Sequence, residues 1–203
     1  LRVALKMDSH SAIADLFSAE TGAPEVVKKQ MAFILGSHRS SYVEESDPDL
    51  NNLIGNLNLS SVYTKVAKEM TLSDPKSPED IYKTHQASSS RYNGTATDSA
   101  KANLASTFVN AFVNAGHCRD ALMVKPGETT SPEGNWVFKN KDHGKASAVA
   151  SLGMVYLWSA EDVFIEADKY LNHSDENIKA GACLACGIAS TGVRSESDAA
   201  FAI

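Results

Sequence analysis

The stretch Lys179-Ala180-Gly181-Ala182-Cys183-Leu184-Ala185-Cys186-Gly187-Ile188 decides the fold. It can be laid over Lys145-Ala146-Ser147-Ala148, Ser151, Gly153 and Met154, with Gly187 on Gly153 at an offset of 34 residues. A period of that length is the mark of helical hairpins stacked in a solenoid or a closed array. Both copies are built from small residues. A glycine inside a helix costs about 1 kcal/mol against alanine. Gly153 and Gly187, with Ala148 and Ala182 beside them, are therefore expected where neighbouring helices approach closely. Between the copies, Ser159 is placed to cap a partner helix, with Asp162 in its first turn and Val163, Phe164, Ile165 and Leu171 as its apolar residues. Asn172-His173-Ser174 turns the chain back, and Gly192 ends the second copy.

Towards the N-terminus the helix signals continue and strand signals are scarce. Pro24 opens a helix carrying Val26, Val27, Gln30, Met31, Ile34 and Leu35, with Gly36 as its C-terminal cap. Asp47-Pro48 starts a short helix with Leu50, Leu53, Ile54 and Leu57. Ser60 or Ser61 caps the next, which carries Val62, Val66 and Met70, and Ser77-Pro78-Glu79-Asp80 starts another. Asp98 is expected to cap a long helix with a buried edge of Leu104, Phe108, Ala111, Phe112 and Ala115. Trp136-Val137-Phe138 reads as a short extended piece. Residues 86–97 and 123–135 are polar, rich in Ser, Gly and Pro, and read as mobile loops. The organisation expected is a helical region over 1–135 and the first repeats over 136–203.

The 203 residues carry 19 Lys+Arg against 25 Asp+Glu, a net charge of −6. No basic excess exists to neutralise phosphates, which argues against nucleic acid as a partner. The longest uncharged stretches are short or interrupted by Asn and His, so no membrane span is expected. Three cysteines make no disulfide framework and point to a reducing compartment. The chain opens on Leu1 without Met and stops at Ile203 inside an apolar pattern, which reads as a piece of a longer protein.

Chemistry-bearing motifs are few. Cys183 and Cys186 form a C-x-x-C, the spacing of a redox pair or half a zinc site. It has no second half and lies mid-helix, so both are expected as small buried residues. The six histidines share no metal-binding spacing, and His143 beside Asp142 reads as part of a cap. No phosphate-binding loop, nucleophile elbow or dinucleotide fingerprint occurs. No catalytic residue, metal or cofactor is expected.

The second copy resembles a proteasome/cyclosome repeat. The resemblance extends over Lys29–Phe33, Asp80–His85, Asn103–Ser106, Phe108–Asn110, Lys139–Gly144, Ser151–Met154, Leu157-Trp158 and Asp168–Leu171. It implies an all-α fold, a toroid of helical hairpins preceded by an irregular helical region. It also implies a non-catalytic scaffold in the base of the proteasome regulatory particle, cytoplasmic and nuclear. The implied partners are the ATPase ring and other base subunits, ubiquitin, the ubiquitin-like domains of shuttle receptors, and a ubiquitin-specific deubiquitinase. On that footing Asp175, Glu176 and Asn177, at an inter-helix turn, are candidate partner-binding residues. The same acids are also what a helix N-terminus favours. The rivals are a paralogous base or cyclosome subunit with the same repeat, and a zinc or redox protein using Cys183 and Cys186.

Overall fold

Short local signals, the side-chain caps Ser9, Asp47, Ser77 and Asp175, account for four of the helix starts among the described residues. The computed structural model describes residues 1–72, 74–82, 99–124 and 135–194; the expected loop 86–97, the cap Asp98 and most of the loop 123–135 lie outside them. Every regular element among the described residues is helical. The chain divides into two compact units, one of residues 1–59 joined by Gly192 and Arg194, the other running from Ser60 to Thr191.

The first unit contains α1 (Arg2–Lys6), α2 (His10–Phe17), a 3-10 turn at Ala19–Thr21, α3 (Glu25–Ser37) and α4 (Pro48–Ile54). Ser9 caps α2 by accepting from Ala12 N. Asp47 caps α4 by accepting from Asp49 N and Leu50 N at 3.0 and 3.1 Å, with Pro48 at the first helical position. Ile13, Phe17, Ala32, Leu35, Tyr42, Leu50 and Ile54 form the core. Gly36 does not end α3: the helix runs to Ser37, and Gly36 is buried inside it. A Cβ at Gly36 would stand 2.9 Å from the Leu53 carbonyl oxygen, so the glycine is where α3 and α4 approach. Val26 and Val27 face outward, because the buried stripe of α3 is Ala32, Leu35 and Gly36. Residues far along the chain complete this unit. Asn56 Nδ2 donates to Gly192 O at 2.8 Å, and Arg194 N donates to Gly55 O at 2.8 Å.

The second unit contains α5 (Leu59–Glu69), α6 (Pro78–Tyr82), α7 (Ser99–Val113), a 3-10 turn (Trp136–Lys139), α8 (His143–Val155), α9 (Ala160–Leu171) and α10 (Glu176–Ala189). Helix α5 starts one residue before Ser60, and Val62, Val66 and Met70 lie exposed along it. Ser77 and Asp80 cap α6 reciprocally: Ser77 N donates to Asp80 Oδ2, and Asp80 N donates to Ser77 Oγ, both at 3.2 Å. Trp136–Lys139 is a 3-10 turn rather than an extended piece, anchored by fully buried Val137.

The expected buried edge of α7 is corrected. Ala111 is buried as expected, but Phe108 and Phe112 are 48% and 69% exposed, and the residues buried with Ala111 are Thr107 and Asn110, with Asn114 just beyond the helix. The inner face is polar because it hydrogen-bonds to three other segments. Asn114 takes both sides of the Lys76 backbone, accepting from its N–H at 2.9 Å and donating to its carbonyl at 2.8 Å. Asn110 Nδ2 donates to Asp120 Oδ2 in a very short contact, and Asp120 also accepts from Met123 N and Val124 N. Trp136 Nε1 donates to Thr107 Oγ1 at 2.8 Å. Thr107, Asn110 and Asn114 on this face thus each have a partner, as burial demands.

Candidate functional site

Helix α8 is central in the second unit. Seven of its residues, Ala148 to Gly153 and Val155, are buried. It lies between α7 and α10, which accounts for small or apolar side chains around its circumference. Two of its last carbonyls have no partner within the helix. They are met by backbone donors from beyond α7: Gly116 N to Met154 O at 3.0 Å and Cys118 N to Val155 O at 2.9 Å. Helix α9 contributes Val163, Ala167 and Tyr170 to the same core, while Ile165 is 73% exposed, a departure from its expected apolar contact.

Helices α8 and α10 pack side by side through their smallest residues. A Cβ on Gly153 would overlap the Ala185 carbonyl oxygen and stand 2.8 Å from both Ala185 Cα and Ile188 Cβ. A Cβ on Gly181 would stand 2.6 Å from Ala146 O and 2.9 Å from Val149 Cβ. Ala148 and Ala182 are both fully buried. Gly187 differs: it is exposed, and nothing lies within 4 Å of the space its Cβ would take. The second tight contact is made by Gly181 because each helix of the pair offers a different face. Helix α8 meets its neighbour with Ala146, Val149 and Gly153. Helix α10 answers with Gly181, Ala185 and Ile188.

That difference follows the repeat. Shifted by 34 residues, Ala146, Val149, Ala150 and Gly153 become Ala180, Cys183, Leu184 and Gly187. All four of the latter are exposed, Leu184 to 57%. The face with which α8 meets α10 is presented again by α10, uncovered among the described residues.

The candidate residues Asp175, Glu176 and Asn177 sit at the start of α10. Asp175 is its N-cap and accepts from Asn177 N at 3.0 Å. It also pairs with Lys145 Nζ of the preceding copy at 2.6 Å. The Lys145 hydrogen bond, with help from the Asn177 N–H, holds the Asp175 carboxyl below its ordinary 3.8. Such a carboxylate contributes stability that is complete above that ordinary value and is lost as pH falls through the lower folded value. Lys145→Met is therefore expected to reduce acid sensitivity, seen as a smaller drop in melting temperature between neutral pH and about pH 3. Glu176 is different: its side chain is 85% exposed and pairs only with Lys179, at 3.2 Å, among the described residues. The three neighbours thus divide into one residue that ties the repeats together and two that face outward or flank it.

Cys186 is 1% exposed, and burial pushes its thiol up, the opposite of an activated thiolate. Cys183 is exposed, contrary to the expectation that both cysteines are buried, because it lies on the uncovered face of α10. Both are free thiols. Among the described residues no group of three His, Cys, Asp or Glu is gathered to hold a metal. Asp142 precedes α8 but makes no side-chain cap bond, so the expected cap role of Asp142 and His143 is not seen. No helix among the described residues is long and apolar enough to cross a membrane.

Residues 1–87 match the family described as the RPN1 N-terminal domain. The whole chain aligns with longer proteins. The 26S proteasome non-ATPase regulatory subunit 2 homolog B of Arabidopsis thaliana is 40% identical over 212 residues, covering 100% of this chain and 24% of that protein. The 26S proteasome regulatory subunit rpn1 of Schizosaccharomyces pombe is 41% identical over 201 residues, covering 98% and 22%. The Dictyostelium discoideum 26S proteasome non-ATPase regulatory subunit 2 is 34% identical over 203 residues, covering 100% and 22%. The chain spans about a quarter of the length of these relatives. With helices as its regular elements among the described residues and a 34-residue repeat in its sequence, the chain is similar from end to end to one segment of the 26S proteasome regulatory subunit 2 and rpn1 proteins.

Proposed function

We propose that this chain is a non-catalytic scaffold segment of the proteasome regulatory-particle base, working in the cytoplasm and the nucleus. The observation that carries the reading is the seam face of α8 against α10, whose equivalent positions α10 presents again, exposed. An array of this kind extends by adding equivalent helices. Its work is positional: stiff stacked helices keep docked partners near the ATPase ring and raise their effective concentration there. The partners proposed are the ATPase ring, ubiquitin, ubiquitin-like domains of shuttle receptors and a ubiquitin-specific deubiquitinase. In support, the relatives are named as proteasome regulatory subunits, and Glu176 offers exposed negative charge to a basic partner surface.

The test is a titration of the chain with ubiquitin, a shuttle ubiquitin-like domain and a deubiquitinase domain, in wild type and in Glu176→Lys. Asp175 is left intact because it caps α10 and pairs with Lys145. The expected result is binding of at least one partner, weakened about tenfold or less by Glu176→Lys, as suits a single rim charge. The melting temperature should be unchanged. Binding of none removes the docking part of the proposal; binding with an unchanged affinity in the variant removes the α10 N-terminus as its location.

A further inference from the structure

In a chain with net charge −6, positive side chains gather at one place in the first unit. A depression of about 380 Å³ is lined by Arg2, Lys6, His38, Arg39, Ser40 and Ser41. Asp8 is the one carboxylate at its edge, and its partner is His10, whose Nε2 lies 3.8 Å away. Among the described residues no carboxylate lies within ion-pair distance of Arg2, Lys6 or Arg39.

Two features place cations here against local preference. Arg2 and Lys6 are four residues apart on α1, a spacing at which like charges repel. A helix of five residues has little stability of its own to offset that repulsion. Arg39 follows the C-terminus of α3 with φ +53, the left-handed conformation that glycine adopts at least cost. It is held there by two backbone bonds, Arg39 N to Gly36 O and Ser40 N to Leu35 O, both 3.0 Å. Its guanidinium then lies close to Gly192, and Arg39 lines the depression. A glycine at position 39 would satisfy the turn better and leave the depression without this charge.

We infer that this depression is an anion site that takes a phosphate group, held by Arg2, Lys6 and Arg39 with the Ser40 hydroxyl as a further donor, the Ser41 hydroxyl being engaged with His10 Nε2 at 3.0 Å. A guanidinium supplies paired donors matched to phosphate oxygens, and an ammonium adds a point charge. The phosphate can come free in solution or on a phosphorylated peptide, and the depression has room for either.

The experiment follows backbone amide shifts of the whole chain during titration with inorganic phosphate, with a phosphoserine peptide, and with sodium chloride to the same ionic strength. The expected result is saturable shifts at Ser40 and Ser41 with one of the two phosphate ligands and none with chloride. Saturation by inorganic phosphate identifies free anion as sufficient; saturation by the peptide alone identifies the phosphopeptide. Arg39→Gly separates binding from folding: it should raise the melting temperature, by relieving the left-handed arginine, while weakening binding about tenfold. Arg2→Gln with Lys6→Gln should weaken it as far or further. Silence of both ligands, a response shared by chloride, or undiminished binding in both variants overturns the inference.

Discussion

Gly153→Ala is expected to destabilise the second unit by about 2 kcal/mol or more, whereas Gly187→Ala should stabilise it by up to about 1 kcal/mol. The two positions are equivalent in the repeat and identical in residue type, yet their surroundings differ. At Gly153 the added methyl meets backbone of α10, the Ala185 carbonyl and Cα, which cannot rotate aside. The helices must part, and the contacts among Val149, Leu152, Ala182 and Cys186 loosen with them. The helix propensity gained by alanine, about 1 kcal/mol, recovers only part of the overpacking cost. At Gly187 the methyl enters open space, and the propensity gain stands alone. Gly181→Ala should behave like Gly153→Ala, because its Cβ meets Ala146 O and Val149 Cβ. Urea unfolding followed by amide hydrogen exchange in α8 and α10 measures all three. Equal effects at 153 and 187 would refute the seam as the site of closest packing.

The second large effect is expected at Asp120. Asp120→Ala leaves Asn110 Nδ2, Met123 N and Val124 N without their common acceptor in a site that is almost closed to water. Leaving buried donors unmatched costs about 3 kcal/mol or more in total. Asp120→Asn keeps the shape and one acceptor oxygen and should cost clearly less. Asn110→Ala with Asp120→Ala should cost less than the sum of the single changes, since each removes the other's partner. Exchange protection of the Met123 and Val124 amides reads the loss directly. Retained protection in Asp120→Ala would show that the carboxylate is not what holds that segment.

The location of this network was open to sequence reading, though its meaning was not. Asn103, Thr107, Asn110 and Asn114 recur at four, three and four residues, the spacing of one helix face. Phe108 and Phe112 share a different face, and apolar preference alone selects them as the buried one. The polar face is buried instead because it reaches the backbone of Lys76, the Asp120 carboxylate and the Trp136 indole, all distant in sequence or outside the helix. A partner across the chain overrides hydrophobicity when it satisfies every polar atom it covers.

What the sequence by itself determined is the succession of α-helices from α3 onward and their repetition. Caps such as Asp47, Ser77 and Asp175 act within three residues of themselves, and the 34-residue recurrence of small side chains needs no neighbour to be recognised. What only the tertiary structure decided is which of those small residues touches another helix: Gly181 rather than Gly187 in α10, and Gly36 buried inside α3 rather than closing it. Helix propensity and capping are local energies, written along the chain; burial is a property of what packs alongside, and two residues of one type in equivalent repeat positions differ as soon as only one of them has a neighbour.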